Sequence, residues 1–231
     1  MKGLWWKILG ATLVMFTVIA GLLADAPTTL GMLDETIRNL FFHVPMWFAM
    51  ITLLLVASIY NIMYLNKSKL KNFLVADSLV KVCFVFGLMG IITGSIWAKS
   101  TWGHWWTKDA KLNGAAVGML IYGAYLILGN SIEDKYHRAK ILSIYNIFVY
   151  PIFIALIIVM PKLIDFSAHP GAGDTEAFTV YDMNNNLRKV FYPAVLGWIL
   201  MANWIASLYW RYKIILNDKD EKDSYDNHIA A

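Results

Sequence analysis

Three histidines and one run of tryptophans are the residues whose types and spacing could do chemistry. His43 lies in the stretch RNLFFHVPMW that begins at Arg38, His169 in SAHPG that begins at Ser167, and His104 in WAKSTWGHWWTKDAKLN, Trp97 to Asn113. Four of the ten tryptophans, Trp97, Trp102, Trp105 and Trp106, fall in that last segment. An interfacial belt needs only one or two rings per helix end. Three indoles around Gly103 instead offer a platform to a planar apolar ligand. Imidazole is a good ligand for iron, copper and zinc, and zinc or copper sites ask for further His, Cys or carboxylate ligands close by. A porphyrin supplies four of iron's six ligands itself and leaves two axial places. His43 and His169 would fill two places, each near a proline that stiffens its backbone.

Positioning these residues falls to membrane helices. The 231 residues are 58% hydrophobic, 15% aromatic and only 16% charged, too apolar for a soluble domain of that length. Six runs are long enough to cross a hydrocarbon core: Ile8 to Ala24, Met46 to Leu65, Val82 to Ala98, Gly114 to Gly129, Ile141 to Met160 and Val190 to Trp210. The third could begin near Asp77, with Lys81 reaching back to the headgroups. Pro161 is expected to stop the fifth run, Pro151 to kink it, and Pro193 to sit in the first turn of the sixth. The fold class is therefore all-α, a polytopic six-transmembrane-helix bundle. Residues 1–216 read as one transmembrane domain, and residues 217–231 as a short, acidic, disordered cytoplasmic tail.

Twelve of the 20 Lys and Arg fall on one side of this plan and seven on the other, with Lys81 inside a span. The positive-inside rule puts both termini in the cytoplasm. Three loops then face outward: Asp25 to Pro45, Lys99 to Asn113 and Pro161 to Lys189. His43, His104 and His169 all lie on them, and the loops are expected to converge over a shallow pocket. The sequence Ala24-Asp25-Ala26 imitates a signal cleavage site, but the preceding run is long for a signal and its removal would invert the plan. The pI near 9 follows from cytoplasmic lysines and needs no nucleic acid. One cysteine, Cys83, excludes a disulfide framework, and the absence of CxxCH excludes covalent haem attachment. No GxxxxGK[ST] phosphate loop is present, so nucleotide-driven work belongs to another chain.

The segment WGHWWTKDAKLN, Trp102 to Asn113, resembles the WGxWWxWD signature of the WWD haem-handling membrane proteins. The six-span plan, the R-x4-H-V-P stretch from Arg38 to Pro45 and the His-Pro at His169 resemble the haem exporter protein C branch, from cytochrome c maturation. Two positions depart from the pattern: Lys108 stands where a tryptophan is usual, and Asn113 where Thr or Ser is usual. The resemblance implies a multi-pass protein of the bacterial inner membrane that holds haem b, non-covalently and transiently, on the periplasmic side. It implies axial ligation by His43 and His169 and transfer to a periplasmic haem chaperone. It further implies association with ATP-binding-cassette transporter subunits and a small single-span subunit. The residues fit that ligand on physical grounds, because haem is a flat apolar disc with two anionic propionates. Trp102, Trp105 and Trp106 would face the disc, and Arg38 and Lys111 its charged edge. Gly103 would allow close approach or a tight bend. Asp109 would orient an indole N–H or a backbone turn, or pair with a lysine. His104, at the variable position of the motif, is expected to line the site or face solvent.

Other classes fit less well. A haem-b electron-transfer or quinone-reactive subunit would carry its ligand histidines within spans. A small-molecule transporter subunit usually shows midplane charges or broken helices, whereas Asn61, Asn146 and Asn203 read as interhelical hydrogen bonds. The loops lack an obvious nucleophile and base pair, so the chain is not expected to be an enzyme.

Overall fold

A computed structural model describes residues 3–23, 35–164, 167, 169 and 185–230. Its main helices are α1 (Trp5–Leu23), α2 (Leu40–Lys67), α3 (Leu70–Trp102), α4 (Ala110–Ser131), α5 (Lys135–Ile154) and α6 (Asn185–Ala230). Six helical segments are long and apolar enough to cross a membrane, and no strand occurs among the described residues. The sequence Ala24-Asp25-Ala26 lies outside the described residues, as do residues 27–34 of the first outward loop and residues 165, 166, 168 and 170–184 of the third.

Local chemistry sets the helix ends. Ser68, at φ 51°, ends α2 with its amide donating to Tyr64 O, and two residues suffice to turn the chain into α3. That short joint makes α2 and α3 antiparallel neighbours. Asp134 caps α5 by accepting the His137 amide at 2.6 Å. Gly103 ends α3 in the left-handed region at φ 78°, donating to Lys99 O at 3.1 Å.

The core lies where α2, α3 and α5 meet, around Ala49, Met50, Leu54, Leu79, Leu142 and Phe153. Lipid is as apolar as leucine, so fit and polar contacts hold such helices together rather than expulsion of water. Two buried hydrogen bonds join α2 to α5: Ser143 Oγ donates to Asn61 Oδ1 at 3.0 Å, and Asn146 Nδ2 to Ser58 Oγ at 3.2 Å. Each is worth about 0.6 to 1.7 kcal/mol. Asn61 and Asn146 thus take the interhelical role expected of them. Asp77, buried within α3, pairs with Lys81 at 2.7 Å and accepts from Tyr125 Oη at 3.3 Å. Lys81, its side chain 31% exposed, thus finds its counter-charge one turn back on its own helix.

Close helix contacts use glycine. A Cβ at Gly10 would meet Leu200 Cβ at 2.9 Å, and one at Gly197 would meet Leu13 Cβ at the same distance, so α1 and α6 interlock reciprocally.

Several expected boundaries move. Helix α2 starts at Leu40, with a 3-10 turn before it (Glu35–Asn39), so His43 sits in its first turn rather than in a loop. Pro45 is inside that helix, and Pro193 is well inside α6 instead of at its start. The fifth span does end at Pro161 to within a residue, but its last turns are not α-helical: past Ile154 it widens into a π-helical turn (Ala155–Val159) and tightens into a 3-10 turn (Met160–Lys162) that carries the proline. The last helix continues through the region read as a disordered tail, because Glu221 pairs with Lys135 at 3.0 Å and Asp218 with Lys71 at 3.5 Å.

Candidate functional site

One end of the bundle holds a cavity of about 440 Å³, within the usual size of a small-molecule or cofactor site. Helix α2 contributes His43, Trp47 and Phe48, and α3 contributes Gly90, Gly94, Trp97 and Trp102. Trp106 and Lys111, Ile157 and Ile158 of the π turn, Lys162 and His169 complete the wall. The π turn is a local departure of the kind often found at functional sites. It is seated by Gly114 of α4, where any Cβ would collide with the Leu156 carbonyl oxygen.

His43 is oriented by α3. Its Nδ1 lies 2.8 Å from Gly90 O and 3.3 Å from Thr93 Oγ1. A carbonyl can only accept, so Nδ1 carries the proton and Nε2 keeps its lone pair. The ring fits because residue 94 is glycine: a Cβ there would come within 2.6 Å of His43 Cε1. Gly90 likewise admits the Trp47 indole, which meets the His43 ring edge-on at 6.4 Å. The 3-10 turn is fastened to the same helix by Asn39 Nδ2, donating to Thr93 O at 3.1 Å.

His169 faces the same space. Its ring centroid is 6.3 Å from that of His43, with the planes 46° apart. Trp97 and Trp102 stand 6.1 and 6.4 Å from it, and meet each other edge to face at 5.0 Å. The His169 amide donates to Ser167 Oγ at 3.1 Å, and that hydroxyl donates to Asp109 Oδ2 at 2.6 Å. Asp109 Oδ1 accepts the Lys111 amide at 2.9 Å, capping α4. Burial raises the Asp109 pKa, but the Ser167 hydroxyl, the Lys111 amide, the His169 ring and the Leu112 amide outweigh it, leaving the carboxyl below the ordinary carboxylate range.

The structure thus gathers His43, His169, Trp102, Trp106 and Lys111 around one space. Other residues singled out in the sequence stand elsewhere. Arg38 donates to Gly21 O and Leu22 O at 3.2 and 3.0 Å, bracing the end of α1. Trp105 is 59% exposed and off the cavity wall. Gly103 serves the bend, since nothing lies within 4 Å of where its Cβ would be. His104 and Lys108 are exposed. Asp109 acts behind the wall as a cap and an anchor for Ser167. Trp102 meets Trp97 at 73°, so these two indoles form a corner rather than a single flat platform. Trp106 is steered from its edge, donating Nε1–H to Asn113 Oδ1 at 3.2 Å, which gives the unusual residue at 113 a use.

Trp47, Lys162 and Ser167 were not singled out in the sequence. Trp47 was findable, because four residues after His43 is the same face of a helix. Among the described residues no group of three or more His, Cys, Asp or Glu could hold a metal ion. A bare ion would find two imidazoles, whereas a metal bringing its own equatorial ligands needs only those two.

Residues 2–223 match the family model described as Heme exporter protein C. The chain is similar to Heme exporter protein C of Paracoccus denitrificans (strain Pd 1222), 26% identical over 140 residues, covering 60% of this chain and 57% of that protein. The same-named protein of Haemophilus influenzae is 25% identical over 155 residues, covering 63% of this chain and 57% of the relative. Cytochrome c biogenesis protein CcsA of Prochlorococcus marinus subsp. pastoris is 39% identical over 70 residues, 30% of this chain and 22% of that protein. The chain spans little more than half the length of the first two relatives.

Proposed function

The chain belongs to the heme exporter protein C family, and on that premise we propose that it binds haem b between His43 and His169 and presents it to a haem chaperone during c-type cytochrome maturation. The observation that carries this reading is the 6.3 Å between the two imidazole centroids inside an indole-walled cavity. Metal–imidazole bonds are about 2.0 to 2.1 Å. Adding roughly 1.1 Å from each nitrogen to its ring centre, two imidazoles sharing one metal stand about 6.3 Å apart. Nε2 of His43 has a free lone pair for this use. Trp47, Trp97, Trp102 and Trp106 supply apolar faces, and Lys111 and Lys162 are positioned to meet carboxylates at the ligand's edge.

Haem is cargo in this reading, and the chain makes or breaks no covalent bond. Both termini lie in the cytoplasm and the cavity opens on the periplasmic side of the inner membrane, as the distribution of Lys and Arg supports. The names of the relatives point to haem export and cytochrome c biogenesis, consistent with work alongside ATP-binding-cassette transporter subunits, a small single-span subunit and the chaperone.

The test is an optical spectrum of the purified protein before and after dithionite. Chain from haem-replete cells, or chain given haem, is expected to show a low-spin six-coordinate spectrum. If repeated preparations carry no haem and take up none, the proposal fails.

A further inference from the structure

The two imidazoles are held in different ways. His43 is part of a helix, and its ring is bonded to the backbone of the neighbouring helix through Gly90 O. His169 belongs to a segment whose described residues, Ser167 and His169, are in no helix. Something else must fix where it stands.

We infer that Ser167, held in turn by Asp109, is a positioning residue for His169. This rests on the proposed haem site. Both members of the relay are only 8% exposed, so water competes weakly for either bond. A serine hydroxyl has one proton, and at 2.6 Å it is directed to Asp109 Oδ2. That direction turns an oxygen lone pair to the His169 amide at 3.1 Å. The carboxylate is itself oriented by α4, because its other oxygen caps that helix's first turn. Rigidity is therefore passed from a helix end, through one carboxylate and one hydroxyl, to the backbone that carries the imidazole. A metal site 1 Å too loose loses a ligand. Without the hydroxyl, His169 should lose hold of the iron while His43 keeps it.

The experiment compares wild type, Ser167→Ala, Ser167→Thr and His169→Ala, each purified in detergent and loaded with haem b. Ferric optical and electron paramagnetic resonance spectra report axial coordination, and titration with haem reports affinity. Ser167→Ala is expected to show a high-spin component that added imidazole abolishes, with affinity lowered roughly 3- to 10-fold, as for one lost hydrogen bond. Ser167→Thr, which keeps the hydroxyl, is expected to regain the low-spin spectrum. A loss of occupancy or yield in Ser167→Ala with no high-spin component reversible by imidazole would mean a merely structural role and overturn the inference. So would a wild-type spectrum in Ser167→Ala beside a five-coordinate His169→Ala. If His169→Ala itself keeps the low-spin spectrum, the axial assignment falls first and the inference with it.

Discussion

Ligand and wall residues should fail in different ways. Replacing His43 or His169 by Ala should open one axial place and leave haem bound, with six-coordination restored by imidazole. Replacing Trp102 or Trp106 should lower occupancy by about 1 to 3 kcal/mol per ring, if their contacts resemble other aromatic stacking, and imidazole should not rescue it. Difference spectra of the four variants decide this, and histidine variants with wild-type spectra would refute the assignment. Gly94 provides a subtler probe. Any side chain there strikes the His43 ring, so Gly94→Val should cost about 1 to 3 kcal/mol in stability and weaken the six-coordinate signal, although residue 94 carries no ligand atom. Asp109 adds a pH dependence. Its folded pKa lies below the ordinary carboxylate value, so its carboxylate contributes stability fully above that value, and the contribution disappears as pH falls through the lower folded pKa. The difference in melting temperature between wild type and Asp109→Asn should be constant near neutrality and shrink in strong acid, as pH falls through the lowered folded pKa; a difference that does not shrink there would exclude the carboxylate as its source. At this scale the sequence was most legible where chemistry is rare. A histidine or a tryptophan-dense segment stands out in any reading, whereas Ser167 differs from any loop serine only by what lies opposite it in space.

Helices were legible as runs and illegible at their ends. Apolar length identifies a span, because about 20 residues are needed to cross the hydrocarbon. The ends depend on partners the sequence does not display. Helix α2 takes in His43 because Asn39 and Thr36 bond to α3, and α6 runs on to Ala230 because Lys135 and Lys71 meet its acidic extension. The π turn had no local signature at all. It exists where Gly114 lets the Leu156 carbonyl approach α4, which makes Gly114 an element-scale test. Gly114→Leu has no soft atom to displace and should destabilise the bundle by about 1 to 3 kcal/mol, shifting Ile157 and Ile158 in the cavity wall. Thermal unfolding in detergent would show the loss; unchanged stability would mean the turn can slide away.

At the scale of the whole molecule, the asymmetry of Lys and Arg predicts which end faces the cytoplasm. Cys83 is buried, so the background for thiol labelling is low. Cysteine placed at His104 should react with an impermeant reagent added to intact cells, and cysteine placed at Lys219 should react only after lysis; the reverse pattern would invert the topology. The six-span architecture could be read from composition, but which span packs on which could not, since lipid-facing and helix-facing residues are equally apolar. One such pairing joins the ends of the chain: α1 and α6 interlock through Gly10 and Gly197. In time rather than space, this means that the first span made has to wait for the last. At about 5 to 20 residues per second, the ribosome needs roughly 10 to 40 seconds to travel from the end of α1 to the cytoplasmic end of the sixth span. Throughout that interval the face of α1 that will meet α6 has lipid in place of its partner, and from Ile8 to Leu23 it carries no charged residue to object.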